Sequence, residues 1–373
     1  MSGPTRHTPY HQRFIELGAE MGDRIGFDAA VVCTSTEAEH MATRTGVGLY
    51  DVYYQGPIDI KGPDAQALLD HLLARDVPRR LAGDGQVLYS SVCNAEGGMT
   101  DDLTAYRLGS EHYWLIATPA RAEVVQAHVT EQARDRRAYI TNCISGTAYL
   151  SVQGPGSRAL LATLAEADLS NEALPYFRFV ETVVADVPTL VSRTGYSGEL
   201  GYELYYPRDY ALHMWDTLVA AGTTPCGLGA LRSVRMEKKY PLYGLDVSES
   251  TSPLEAGLGW AVDLGSGAFI GREALKRQRD DGLTRLLVGI EFPDLSFVPA
   301  AGDLVSGPEG DELGTLTSSD RGWFLGRALA MGYLPAGLSS GSTVTVTAAD
   351  GVQAEGRTTD LPFYDREGAR VRS

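Results

Sequence analysis

A repeated strand-to-helix unit constrains this chain more than any other feature of its sequence. Residues 58–63 read Ile-Asp-Ile-Lys-Gly-Pro, residues 150–155 read Leu-Ser-Val-Gln-Gly-Pro, and leucines at helical spacing follow each run. Proline suits the first turn of a helix, where its missing N–H has no partner to lose. The recurrence predicts two related halves, each built on a strand, a Gly-Pro turn and an amphipathic helix. The alternative is the chance recurrence of a common β–α turn.

Composition excludes several classes of protein. The chain has 373 residues, 43% of them hydrophobic, which suffices for two or three domains with large cores. Its formal charge of −16 argues against a nucleic-acid partner, which needs a basic surface. Because no apolar run is long enough for a membrane span or a signal peptide, we expect a soluble, cytoplasmic protein with no membrane partner. The four cysteines are far apart and predict reduced thiols, with neither disulfides nor a metal site.

The two ends of the chain differ in their patterns. Residues 14–45 predict a loosely helical segment, with a short helix at 37–44. Short β-like runs between residues 286 and 347, separated by turn residues, are typical of a small barrel or sandwich. No low-complexity linker separates the parts of the chain. We therefore expect the domains to contact each other closely and to leave a cleft or a central hole between them.

A diglycine hairpin presents two adjacent acids. Residues 87–93 and 103–108 read as strands, and Gly97 and Gly98 lie in the turn between them, just before Asp101 and Asp102. Successive side chains of a strand point to opposite faces, so these two carboxylates have different surroundings. One of them is free to point into a cavity. The alternative is that both acids only solubilise the hairpin.

A search for catalytic motifs is mostly negative and thereby narrows the chemistry. The sequence has no phosphate-binding P-loop, no His-Glu-x-x-His, no nucleophile elbow and no strand–Gly-x-Gly-x-x-Gly–helix unit. What remains is a set of acids, arginines and aromatic residues. A carboxylate beside aromatic rings suits a flat, nitrogen-rich ligand, because the carboxylate accepts N–H donors while the rings supply apolar contact. The candidates are Tyr89, Asp101, Tyr196, Glu199, Glu203, Arg232, Arg235 and Glu237.

Several short stretches of the chain follow one another in an order that identifies a family. The hairpin at 97–103 reads Gly-Gly-Met-Thr-Asp-Asp-Leu, and residues 195–203 read Gly-Tyr-Ser-Gly-Glu-Leu-Gly-Tyr-Glu. The remaining stretches are residues 48–52, 60–65, 226–230, 235–237, 242–244, 252–260 and 269–275. Each stretch is modest alone, but through all of them together the chain resembles, across nearly its whole length, the folate-dependent aminomethyltransferases, the glycine cleavage T-protein family.

The resemblance implies an α+β fold, a three-domain ring around a central folate channel. Two related α/β lobes and a small C-terminal β-barrel-like domain would form it, with the first lobe at residues 1–54 and 147–270, the second at 55–146 and the C-terminal domain at 271–373. Its cofactor would be tetrahydrofolate. By position, the resemblance implies that Asp101 is the catalytic, channel-facing acid, that Glu203 binds the pterin, and that Tyr89 and Tyr196 line the channel.

Departures from the family pattern concern the donor pocket. The family's Gly-Leu-x-Ala-Arg-Asp run is here Gly-Leu-Gly-Ala-Leu-Arg at 227–232, which puts Leu231 in place of the arginine. Its Asp-Val-Ser-His-Met-Gly run is here Asp-Val-Tyr-Tyr-Gln-Gly at 51–56. We therefore predict a remodelled pocket formed by Tyr53, Tyr54, Gln55 and Leu231. Alternatively, these side chains only repack the interface of the lobe, and Arg232 supplies the missing charge to the cofactor.

Three readings of function follow from the resemblance. In the first, the chain is a tetrahydrofolate-dependent transferase that takes a methyl or methylene group from a small-molecule donor and passes it to folate N5. In the second, it is an aminomethyltransferase of the glycine cleavage system that works with a lipoyl carrier protein. In the third, it is a folate-binding protein without catalytic activity. An acidic carrier would need a basic docking face, so the distribution of surface charge bears on the choice.

Overall fold

The computed structural model describes residues 5–265 and 267–373. The strands are β1 (Arg6–His7), β2 (Glu20–Arg24), β3 (Phe27–Val32), β4 (Gly48–Asp51), β5 (Ile58–Lys61), β6 (Val87–Cys93), β7 (Met99–Gly109), β8 (His112–Ile116), β9 (Tyr139–Asn142), β10 (Thr147–Gln153), β11 (Phe179–Val184), β12 (Val187–Ser192), β13 (Gly201–Pro207), β14 (Thr224–Cys226), β15 (Arg285–Glu291), β16 (Leu304–Ser306), β17 (Glu312–Gly322), β18 (Arg327–Pro335), β19 (Thr343–Thr347) and β20 (Gln353–Thr359). The α-helices are α1 (His11–Glu16), α2 (Thr36–Thr45), α3 (Ala65–Leu72), α4 (Val77–Arg80), α5 (Ala122–Gln132), α6 (Ser157–Leu161), α7 (Ala211–Ala220), α8 (Leu228–Glu237) and α9 (Arg272–Asp281).

The first lobe is built on a six-stranded sheet with the order β11-β12-β13-β10-β4-β14. Only β14 runs parallel to its neighbour, and the other pairs are antiparallel. A small sheet with the order β1-β3-β2 covers one end of this lobe. The prediction of a loosely helical segment at 14–45 is therefore wrong over β2 and β3. These strands form a hairpin whose turn residues, Ile25 and Gly26, both have positive φ.

The second lobe has a five-stranded sheet with the order β6-β7-β8-β5-β9. One face of this sheet packs on α3 and α5, through leucines such as Leu68, Leu69 and Leu72 that are almost fully buried. The predicted domain limits at 54, 146 and 270 fall between the strands of successive sheets. As domain boundaries they remain predictions.

The repeat in the sequence corresponds to a repeat in the fold. In each lobe a three-strand meander pairs with the strand of the Gly-Pro unit, giving β6-β7-β8-β5 in the second lobe and β11-β12-β13-β10 in the first. The glycines of the two units, Gly62 and Gly154, have φ of 129° and 134°. A Cβ at either glycine would lie 2.2 Å or 2.3 Å from a backbone carbonyl oxygen. Both positions therefore require glycine for conformation and for space.

The C-terminal domain is a closed six-stranded barrel with the order β15-β18-β17-β16-β19-β20, in which β20 pairs back to β15. Met236 of α8 packs on Leu329 and Met331 of the barrel, which fixes the barrel against the first lobe. The α+β class and the barrel expected from the sequence are confirmed. Among the described residues, no helix has both the length and the apolarity that a transmembrane span requires.

Candidate active site

The two acids of the hairpin lie on opposite faces of β7. Asp102 shares its face with Tyr106, which packs in an aromatic cluster between the two lobes. Asp101 shares its face with Leu103 and Ala105, which pack in the core of the second lobe. β7 has a bulge at Thr100, between the pairs Val92–Asp101 and Cys93–Met99, which inserts one extra residue ahead of the acids. Because of this extra residue, each acid points to the face opposite to the one that simple alternation from the turn would give.

Asp102 has one oxygen without a partner. Its side chain is 7% exposed, and the Tyr89 hydroxyl donates a hydrogen bond to Oδ2 at 2.9 Å. Oδ1 is buried and accepts no hydrogen bond from any residue in the described part of the chain. A carboxylate oxygen left in this state carries the full cost of desolvation unless a ligand or solvent supplies a donor. Burial raises the pKa of this carboxyl group.

Asp101 is satisfied by the protein itself. Its side chain is fully buried, Oδ1 accepts a hydrogen bond from the Thr118 hydroxyl at 2.6 Å, and Oδ2 accepts one from the Thr118 N–H at 3.0 Å. The expectation that Asp101, and not Asp102, faces a channel remains a prediction, although in the structure it is Asp102 that keeps an oxygen without a protein partner. The catalytic role given to Asp101 remains a prediction, which its position does not favour.

Two pairs of aromatic side chains lie near the carboxylate of Asp102. Tyr89 stacks on Trp260 with ring centroids 5.4 Å apart, and 63% of Trp260 is exposed. Tyr196 stacks on Tyr240 at 5.6 Å and donates a hydrogen bond to the Pro241 carbonyl oxygen at 2.6 Å. Burial raises the pKa of the Tyr196 hydroxyl, and the nearby charge of Asp102 adds to this rise. The structure thus brings Tyr89 and Tyr196 together with Asp102. Sequence reasoning missed Trp260, since nothing in a sequence shows that one tryptophan stays exposed.

Glu203 lies within a group of hydroxyls on the facing lobe. Its Oε1 accepts a hydrogen bond from Tyr149 at 2.6 Å, and its Oε2 accepts one from Thr194. Tyr106 and Tyr205 make longer contacts to Oε2, at 3.4 Å and 3.5 Å. Burial raises the pKa of Glu203, and the hydrogen bonds to Thr194 and the tyrosines oppose that rise. Oε1 retains a lone pair for a further donor.

The two candidate arginines of α8 have different surroundings. Arg232 is exposed, and its charge acts on Asp320 of the barrel. Arg235 is buried and donates hydrogen bonds to Asp246 at 2.6 Å and to Ser318 at 3.1 Å. The predicted cofactor-binding role of Arg232 remains a prediction, because the structure does not bring this side chain to Asp102 or Glu203.

Two further candidates belong to a buried ionic network. Arg44 donates to Glu237 at 2.8 Å and to Glu199 at 3.2 Å, and Tyr364 donates to Glu199 at 2.7 Å. His40 lies 3.3 Å from Glu237. All these partners are protein side chains, and the network joins the first lobe to the segment that follows the barrel. Glu237 therefore has protein partners at both oxygens, whereas Oε2 of Glu199 is buried and accepts no hydrogen bond within the described part of the chain.

The structure places the four predicted donor-pocket residues in different surroundings. Tyr53 and Tyr54 are buried in the core of the first lobe, with ring centroids 6.3 Å and 6.2 Å from Phe27. Tyr54 and Leu231 line one small cavity together with Asp51, while Tyr53 and Gln55 do not contribute to it. The four residues do not form a single pocket beside Asp102.

Comparisons with known proteins agree over the whole chain. Residues 10–266 match the GCVT N-terminal domain, and residues 285–365 match the glycine cleavage T-protein C-terminal barrel domain. Proteins named aminomethyltransferase from Rubrobacter xylanophilus and Moorella thermoacetica are 37% and 38% identical over 366 residues. These alignments cover 98% and 97% of this chain and 96% and 98% of the relatives.

A solved structure shows the same fold. The crystal structure of glycine cleavage system aminomethyltransferase T from Bartonella henselae has a TM-score of 0.88 and 27% identity, covering 97% of this chain and 99% of that one. The fold and the comparisons together define an enzyme that transfers one-carbon groups and uses tetrahydrofolate. The chain belongs to the glycine cleavage T-protein family.

Proposed function

We propose that this enzyme is an aminomethyltransferase that takes its one-carbon unit from an aminomethyl group on a lipoyl carrier protein and passes it to tetrahydrofolate. The observation that carries the proposal is the buried, unpartnered Oδ1 of Asp102 in an aromatic cleft. The names of the full-length relatives favour the carrier-bound donor over the small-molecule donor. The small-molecule donor remains the alternative, supported by Leu231 in the cavity beside Tyr54.

The residues present fit tetrahydrofolate. A reduced pterin is flat and carries several N–H donors, which match the partly buried Glu203 carboxylate and the stacking surfaces of Tyr89 and Tyr196. When bound, tetrahydrofolate supplies the nitrogen that accepts the carbon. Glu203 would hold the pterin, and the aromatic rings would exclude water from the cleft.

Asp102 would stabilise positive charge. An ionised carboxylate in a water-poor, aromatic site acts more strongly on a developing cation than it would in water. The Tyr89 hydroxyl fixes the carboxylate through Oδ2 and leaves Oδ1 directed to the reacting group. Burial raises the pKa of both Asp101 and Asp102, so this pair of acids suits proton exchange near neutral pH.

A local basic patch suits an acidic carrier. Arg75, Arg79 and Arg80 contact the single carboxylate of Asp263 at 3.1, 3.2 and 2.9 Å, and Asp76 also pairs with Arg79. Of these residues only Arg79 and Arg80 are well exposed, at 59% and 38%, so the positive charge at this surface comes from those two side chains, on a chain whose net charge is −16. Asp263 follows the exposed Trp260 by three residues, so this patch adjoins the aromatic side of the cleft.

The test is a donor comparison with a charge control. We expect turnover with tetrahydrofolate and an aminomethyl-loaded lipoyl carrier, and much less with free amines, ethers or sulfonium compounds. In the double variant Arg79→Ala and Arg80→Ala, KM for the carrier should rise about tenfold while kcat and folate affinity stay unchanged. Arg134→Ala, at an exposed arginine just after the end of α5, is the matched control. Turnover only with a free small donor would replace this proposal by the alternative.

A further inference from the structure

Two histidines and an aspartate meet at the edge of the first lobe, outside the folate site. His7 ends β1, which pairs in parallel with β3 so that His7 lies opposite Asp28. His11 begins α1, and its N–H is held by the Thr8 carbonyl oxygen at 3.2 Å. Three separate elements thus bring three side chains to one point.

The side chains are close enough to share one ion. His11 Nε2 lies 2.8 Å from Asp28 Oδ2, and the His7 and His11 rings stack with centroids 3.9 Å apart and planes 7° apart. Each residue offers one ligand atom, and these atoms all lie within 4.8 Å of one another. Ligand atoms on one tetrahedral zinc ion lie about 3.3 Å apart, so the cluster must close by no more than about 1.5 Å. Rotation of the exposed His7 side chain supplies a movement of that size.

We propose that His7, His11 and Asp28 bind one divalent transition-metal ion of the zinc type. Imidazole nitrogen and carboxylate oxygen are ligands that zinc accepts, and three protein ligands leave a position for water. The neighbouring cation does not interfere, because Arg6 turns to the opposite face of β1. There its guanidinium lies over the Phe27 ring and donates to the Ile25 carbonyl oxygen.

The hydrogen bond between His11 and Asp28 forms without any contribution from the His7 side chain. His7, which lies opposite Asp28, brings a second imidazole within reach of the same carboxylate, and coordination of one ion would require the two stacked rings to separate. A bound ion would tie β1 and α1 to β3, whose Phe27 packs on Tyr53 and Tyr54 of the lobe core. The signal in the sequence was the spacing of His7 and His11, four residues apart.

The experiment titrates the full-length protein with zinc and with cobalt. We expect calorimetry to show one zinc ion per chain, and cobalt to give visible bands of a nitrogen- and oxygen-ligated ion. His7→Gln and His11→Gln should each weaken zinc binding at least tenfold. His213→Gln, which changes an exposed histidine bonded to the Ala185 carbonyl oxygen, should leave binding unchanged.

Two results would overturn the proposal. One is zinc affinity in His7→Gln equal to that of the unchanged protein. The other is a sulfur-to-cobalt charge-transfer band, which would assign the ion to a cysteine such as Cys33 or Cys143. Circular dichroism without metal checks that the variants fold. If His11→Gln does not fold, His7→Gln and Asp28→Asn decide the matter.

Discussion

The two lobes share one strand order, but Asp102 in one and Glu203 in the other have different hydrogen-bond partners. Asp102 lies on the middle strand of the second-lobe meander and keeps a buried oxygen without a partner. Glu203 lies on the last strand of the first-lobe meander, where Tyr149 and Thr194 donate to its two oxygens. A carboxylate held by neighbouring hydroxyls is an acceptor with a fixed orientation. A carboxylate with an unpartnered oxygen can still accept a strong hydrogen bond from a ligand. We therefore propose Glu203 as the binding acid in one lobe and Asp102 as the reacting acid in the other.

The largest expected effect tests the reacting acid. Asp102→Asn should lower turnover by about 10²–10⁴-fold, because it removes the charge that faces the cleft, with little change in folate affinity. Asp101→Asn should cost much less turnover and act mainly on stability through its two hydrogen bonds to Thr118. Steady-state kinetics at saturating folate measures both. If Asp101→Asn were the more damaging change, the assignment from strand phase would fail.

Removal of the Glu203 carboxylate should lower the affinity for tetrahydrofolate more than it lowers turnover. Glu203→Ala should make the free energy of tetrahydrofolate binding less favourable by about 1–3 kcal/mol, which is the usual cost of leaving a buried donor unpaired. Tyr149→Phe is the matched control, because it keeps the charge of Glu203 and removes one hydroxyl, so its effect should be smaller. Isothermal calorimetry measures both, and equal affinity in all three proteins would contradict a pterin contact.

The pH dependence of stability provides a second test of Asp102, because burial raises the pKa of this acid as it does for Asp101 and Glu203. Burial raises the folded-state pKa of Asp102, so the folded protein holds that proton more tightly than the unfolded chain does. Stability from this group is therefore present at acid pH and is lost as pH rises through the folded pKa. Asp102→Asn cannot ionise and should be more stable than the unchanged protein at pH 8, on the order of 1 kcal/mol.

That gain should shrink as pH falls through the folded pKa of Asp102. The measurement is denaturant unfolding at a series of pH values from 5 to about 8, a range that spans the folded-state pKa of Asp102, which is about 6. A constant gain across the series would mean that packing, not ionisation, separates the two proteins.

The smallest expected effect concerns the predicted donor pocket. The Tyr54 hydroxyl is buried and makes no hydrogen bond within the described residues. Tyr54→Phe should therefore change stability by less than about 1 kcal/mol and leave carrier-linked turnover unchanged. A change in donor preference on this substitution would return Tyr54 to the donor pocket and favour the small-molecule alternative.

The sequence by itself determined the repeated architecture, the barrel and the family. Local signals carry these features: a strand, a Gly-Pro turn and a leucine-bearing helix recur at 58–63 and 150–155, and short β-like runs separated by turn residues mark the barrel. The hairpin of Asp101 and Asp102 was equally visible. Of the predicted site residues, the structure brings Tyr89 and Tyr196 together near Asp102, and it places Glu203 among hydroxyls on the facing lobe.

Only the tertiary structure decided which acid keeps an oxygen without a protein partner. A single bulge residue at Thr100 reverses the side of every later residue in β7, and no local pattern announces it. The surroundings of Arg232, Tyr53 and Trp260 depended likewise on contacts between segments far apart in the chain. Whether a side chain ends exposed, packed or facing a ligand is set by what the other lobe or the barrel places opposite it, and that information is not local.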